Sequence, residues 1–239
     1  MNVDPEIVVV AVAVMAVAST VQASVGFGAN MLATPVFAIL DPDLVPGPIF
    51  VAAGILTFAT ALRERDGVDR EVVTVATAGR IPGSIVGAFV LAAVSDRSLQ
   101  LLVGATILVA VVLSSGILRI PERRGTYLGA GALSGFGATT AAIGGPPLAL
   151  TLQHRSGRDL RATMGAYFAI GSVITLPAIA AAGRLGRDEL VVGACLIPGA
   201  LLGFVASGPL RPRVDAGRVR PLVLGLAGIA AVILIIRTI

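Results

Sequence analysis

Residues 125–153 read GTYLGAGALSGFGATTAAIGGPPLALTLQ, 29 positions without a charged side chain. One crossing of a bilayer core takes roughly 20 apolar residues, and two with a turn take about twice that. The stretch is too long for the first and too short for the second. Gly135, Gly137 and then Gly144-Gly145-Pro146-Pro147 interrupt it. Proline removes a backbone donor and glycine weakens a helix by about 1 kcal/mol. Backbone groups freed in lipid must be satisfied by protein or by a wet cavity. The reading is a helix, a break near the bilayer midplane, and a half-helix returning to the side of entry. The plainer alternative is one tilted helix with a loop, since Gly and Pro are ordinary in membrane helices.

A second stretch behaves the same way. Residues 7–40 run 34 positions without charge and carry Gly26-Phe27-Gly28-Ala29-Asn30, then Pro35. The other apolar segments, 44–62, 71–95, 98–118, 162–183, 189–210 and 220–237, each fit about one crossing. The whole chain agrees with this. Its 239 residues are 56% hydrophobic and 13% charged, with a mean hydropathy of +0.93. Soluble domains carry about 25% charged residues. A soluble fold, a nucleic-acid-binding protein and a disordered chain are excluded. The expected class is an all-α, polytopic integral membrane protein with membrane lipid as its surroundings.

A shift of 116 positions places Ile81-Pro82-Gly83 on Ile197-Pro198-Gly199, Gly87 on Gly203, Gly28 on Gly144, and Leu32-Ala33 on Leu148-Ala149. The chain therefore reads as two repeats, 1–118 and 125–239, joined by a linker at 119–124. Each repeat holds one broken segment and three plain helices. All 18 basic residues are arginine. With eight ordinary crossings, the arginines other than Arg80 divide nine to eight, which orients nothing. With two re-entrant segments, Arg63, Arg65, Arg70, Arg119, Arg123, Arg124, Arg155, Arg158, Arg161, Arg211, Arg213, Arg218 and Arg220 share one side. Only Arg97, Arg184, Arg187 and Arg237 lie on the other. The positive-inside rule then places both termini outside the cytoplasm. Three crossings per half make the repeats inverted, a frequent plan for secondary transporters. Met1–Glu6 has no basic region and reads as a non-cytoplasmic flank, with Asn2 and Thr238 as positions to label.

These residues resemble a known family. Ala142-Ile143-Gly144-Gly145-Pro146-Pro147-Leu148, its counterpart Gly26-Phe27-Gly28-Ala29-Asn30, the two Ile-Pro-Gly motifs and the 4+4 layout look like the sulfite exporter TauE/SafE family. The second-half motif is the more specific. The resemblance covers nearly the whole chain. It implies a permease of the bacterial inner membrane for sulfite, a related sulfur oxyanion or an organosulfonate.

Independently of that resemblance, the breaks suit an anion. Amides at a half-helix N-terminus supply fixed donors and a favourable dipole. Candidate substrate-binding residues are Gly26, Gly28, Gly144, Gly145 and Pro146 of the breaks. Gln22, Ser24, Asn30, Thr139 and Thr140 are expected to add side-chain hydrogen bonds. Alternatively, the glycines only let helices pack and the hydroxyls bond back to their own helices. Arg80 lies about nine residues, roughly 14 Å, into its helix, near the centre of the hydrocarbon core. No carboxylate is expected at that depth, so a substrate oxyanion is the natural partner for its guanidinium. Snorkelling to the interface, or capping of carbonyls freed by Pro82, are the alternatives. Pro82, Gly83, Pro198 and Gly199 are expected to act as hinge or packing positions.

Other classes find no residues. One Cys (Cys195) and one His (His154) exclude a disulfide and a Cys-rich metal site. No HExxH, Walker A or nucleophile–base signature is present, so no enzyme, metal or cofactor is expected. An anion channel or a scaffold subunit is the rival to a carrier. The Gly- and Ala-rich spans can support a homodimer, and nothing in the sequence demands one.

Overall fold

The computed structural model describes residues 4–155, 157–210 and 216–239, without side-chain detail at 216–220. Asn2, Arg211 and Arg213 lie outside the described residues. The order is α1 (Pro5–Val25), α2 (Ala29–Leu40), a 3-10 turn (Pro42–Leu44), α3 (Gly47–Arg63), α4 (Arg70–Ala93), α5 (Asp96–Ser114), α6 (Arg124–Ala141), α7 (Gly145–Thr151), α8 (Gly157–Ala181), α9 (Arg187–Leu210) and α10 (Ala216–Thr238). No strand occurs among the described residues. Among the described residues seven helical spans are long and apolar enough to cross a membrane. Their outward faces are apolar, as lipid requires, with Phe89, Val205 and Ile229 among the most exposed side chains. The chain is an all-α polytopic membrane protein.

Both overlong stretches are broken, into α1/α2 and α6/α7. Several ends differ from expectation. The segment 98–118 stops at Ser114, before Gly116 at φ +83°. The non-helical connection between α5 and α6 is therefore longer than 119–124. The segment 44–62 begins as helix only at Gly47, after Pro42 and Pro46.

Helix directions follow from close contacts. Gly79 lies against the Leu128 carbonyl and Gly83 against that of Ala132. In return, Gly131 lies against the Ala76 carbonyl and Gly135 against that of Arg80. Residue numbers rise together, so α4 and α6 run parallel with their backbones touching. The same holds for α1 and α9, where Gly199 meets the Val12 carbonyl and Gly203 that of Ala16. Small residues allow such approach, and dispersion over the shared surface holds it.

Ion pairs sort the loops into two ends. Arg155 bonds Asp69 and Glu122, both at 2.7 Å, and Arg124 bonds Glu71 at 2.7 Å. The segment after α7 therefore shares one end with the α3–α4 loop and the entry to α6, so α7 returns to the end where α6 began. Burial raises the Asp69 pKa, but the Arg155 and Val72 hydrogen bonds and the Arg155 charge outweigh it and hold the carboxyl below its usual value. At the opposite end Arg184 bonds Asp96 at 2.7 Å, and Arg97 Nε donates to the Thr238 carbonyl at 2.9 Å. Gly47 packs on the Arg184 carbonyl. The start of α3, the α4–α5 turn and the end of α10 are thus together. The start of α1 joins them, because α1 parallels α9 and α9 begins at Arg187. Arg97, Arg184, Arg187 and Arg237 mark this end; Arg63, Arg65, Arg70, Arg119, Arg123, Arg124, Arg155, Arg158 and Arg161 mark the other.

Candidate functional site

Each break has its own local chemistry. Helix α1 ends at Gly26, whose φ of +109° is a left-handed conformation that glycine adopts at no steric cost. Its amide returns to the Gln22 carbonyl at 2.7 Å. Gly28, at φ +110°, starts α2, and the Gln22 side-chain oxygen accepts from the Ala29 amide at 3.2 Å. The first-turn amides of Asn30 and Met31 have no intrahelical acceptor.

The second break turns at a position with no local signal. Its left-handed residue is Ala142 (φ +57°), two positions before the glycine pair. A non-glycine residue held there costs of order 1 kcal/mol or more, and surrounding structure must over-determine it. Two bonds do so. The Ile143 amide closes on the Gly137 carbonyl at 3.0 Å, and Asn30 Nδ2 donates to the Ala142 carbonyl at 2.7 Å. That second bond ties the two breaks directly together across 112 positions.

A small cavity lies where they meet. Gln22, Gly28, Asn30 and Met31 line it from the first break, and Ala142, Ile143, Gly144, Gly145 and Pro146 from the second. Phe50, Ala53 and Thr57 of α3, Ala138 of α6, and Phe168 and Ser172 of α8 complete the wall with Arg80. Among the described residues no acidic side chain lines it.

Arg80 is 1% exposed, so it does not snorkel. Its Nη2 donates to Thr175 at 3.0 Å and its Nη1 to Ser134 at 3.4 Å. Its guanidinium carbon sits 5.0 Å from the centroid of the Tyr167 ring. Its Nε is buried without a hydrogen-bond partner. Gly171 makes the room: a methyl there would overlap the guanidinium. Among the described residues no carboxylate pairs with Arg80. A buried unpaired cation is expensive, and hydroxyls and a ring face offset only part of that.

The structure does not bring all the expected residues to the cavity. The hydroxyls of Ser24, Thr139 and Thr140 donate to the carbonyls of Thr20, Gly135 and Phe136 in their own helices. Gly26 packs on Arg161. The expectation of a donor-rich second break is corrected as well. Helix α7 has only seven residues, and Pro146 and Pro147 in its first turn have no amide hydrogen. Gly83 and Gly199 are the backbone contacts described above, each beside its proline. Sequence reasoning missed Ser134, Thr175, Tyr167 and Gly171. The spacing of Tyr167, Gly171 and Thr175 by four on one helix was the available signal.

No curated protein and no solved structure matches the chain. The profile of the sulfite exporter TauE/SafE family matches residues 11–234, nearly the full length, with the cavity residues inside the match. The chain belongs to the sulfite exporter TauE/SafE family of membrane transporters.

Proposed function

We propose that this chain is a secondary permease for small anions, with sulfite or a related sulfur oxyanion or organosulfonate as its substrate. One observation carries the reading. A permanently charged guanidinium stands buried on the wall of a cavity without acidic residues, and no carboxylate among the described residues neutralises it. An oxyanion supplies the missing charge and acceptors for N–H groups that remain unfilled. Gln22 assists. Its oxygen is held by the Ala29 amide, which leaves its NH2 as a donor.

Alternating access is the proposed mechanism, by rocking of the inverted halves 1–118 and 125–239 about this site. The parallel pairs α4/α6 and α1/α9 support the inverted relation of the halves, since each joins a plain helix of one half to the broken segment of the other. The arginine asymmetry between the two ends supports a bacterial inner-membrane orientation with both termini outside. A cysteine at Thr238 should be labelled by an impermeant reagent in intact cells; labelling only after lysis would reverse the orientation. The transport test uses the purified protein in liposomes. Sulfite flux should saturate, and trans sulfite should accelerate it by counterflow. Flux that rises linearly with concentration and ignores trans sulfite would make the protein a channel. Absence of flux for every sulfur anion tried would defeat the permease reading.

A further inference from the structure

Among the described residues, Arg80 is the only charged side chain on the cavity wall. A monoanion leaves the occupied cavity neutral. A dianion leaves one uncompensated negative charge out of water, which low-dielectric surroundings disfavour strongly.

The second observation concerns acceptors. Asn30 Nδ2 donates one of its two hydrogens to the Ala142 carbonyl, which can only accept, so the amide orientation is determined. That leaves Asn30 Oδ1, which is buried and has no partner. Thr57 and Ser172 are engaged within the wall: their hydroxyls reach the carbonyls of Gly54 and Phe168 and lie 3.3 Å from each other. A bare oxyanion offers Asn30 Oδ1 nothing and repels it. A buried acceptor left unpaired weakens binding more than an average hydrogen bond strengthens it.

We infer that the site selects a monoanion that carries its own hydrogen-bond donor, such as a hydrogen-bearing oxyanion or a hydroxy-substituted sulfonate, over dianions and donor-free monoanions. The anionic oxygens face Arg80 and the donor faces Asn30 Oδ1. This rests on the anion-permease reading and specifies its substrate class.

Three anions of nearly one shape test it: sulfamate (monoanion with N–H), methanesulfonate (monoanion without a donor) and sulfate (dianion). Dissociation constants are measured by titration calorimetry on the detergent-purified protein at neutral pH. Sulfamate should bind on the order of tenfold more tightly than methanesulfonate, the worth of about one hydrogen bond. Sulfate should bind most weakly. Asn30→Leu should remove the preference for sulfamate while methanesulfonate still binds. If that variant does not fold, the wild-type series decides alone. Equal binding of sulfamate and methanesulfonate, or sulfate as the tightest ligand, overturns the inference and leaves the anion site standing. No binding of any of the three overturns both.

Discussion

Arg80→Lys should reduce transport on the order of 100-fold, although it nominally keeps the charge. Two properties of arginine are at stake. Guanidinium stays protonated at any burial, whereas a buried lysine sheds its proton readily. In a site 1% exposed, with hydroxyls and a ring as neighbours, the lysine amine loses its charge in the empty cavity. The geometry is lost too. Thr175, Ser134 and Tyr167 hold a planar fork, and an ammonium cannot reproduce its parallel donors. The loss of two charge-assisted hydrogen bonds, at about 1.5 kcal/mol each, gives the stated factor. Stability should move the other way. Removing a buried unpaired charge relieves desolvation, so the melting temperature of Arg80→Lys or Arg80→Met should hold or rise. The pair of measurements is diagnostic. Lost flux with a lower melting temperature would make Arg80 a structural residue, and unchanged flux in the lysine variant would end its role in substrate binding.

What could be read in advance followed the strength of local physics. Stretches of 34 and 29 uncharged residues with clustered Gly and Pro cannot be smooth helices in lipid, and both are broken. The depth of Arg80 followed from helix rise alone. The site was harder, because its decisive features are tertiary. Nothing local marks Ala142 as the left-handed residue; the Asn30 bond from 112 positions away helps hold it there. Nothing local says that this bond fixes the Asn30 amide and leaves its oxygen buried without a partner. Ser24, Thr139 and Thr140 carry the opposite lesson. A hydroxyl in a helix always has the carbonyl four residues back within reach, and inside an apolar bundle that bond wins over a cavity.

Gly83→Ala, a change of one methyl, should destabilise the protein about as much as a typical core truncation does. The added carbon would overlap the Ala132 carbonyl, and that neighbour is backbone. No rotamer change relieves it; α4 and α6 must separate. Separation also breaks the contacts of Gly79 with Leu128, Gly131 with Ala76 and Gly135 with Arg80, since all four lie along one seam. Overpacking costs about 1–3 kcal/mol where side chains can yield, and the rigid case belongs at the upper end. At about 2–4 °C per kcal/mol for a chain of this size, the melting temperature should fall by roughly 10 °C. Gly129→Ala is the internal control. It sits on the same helix α6 with nothing within 4 Å of a new methyl, so alanine should be neutral or stabilising by up to about 1 kcal/mol. Gly199→Ala should behave like Gly83→Ala through the Val12 carbonyl on α1. Function should fail with the fold, because the Arg80 carbonyl is itself part of the α4–α6 seam and any displacement moves the guanidinium away from Ser134. If Gly83→Ala and Gly129→Ala melt at the same temperature, the two backbones are not in contact, and the parallel pairing of α4 with α6 is wrong.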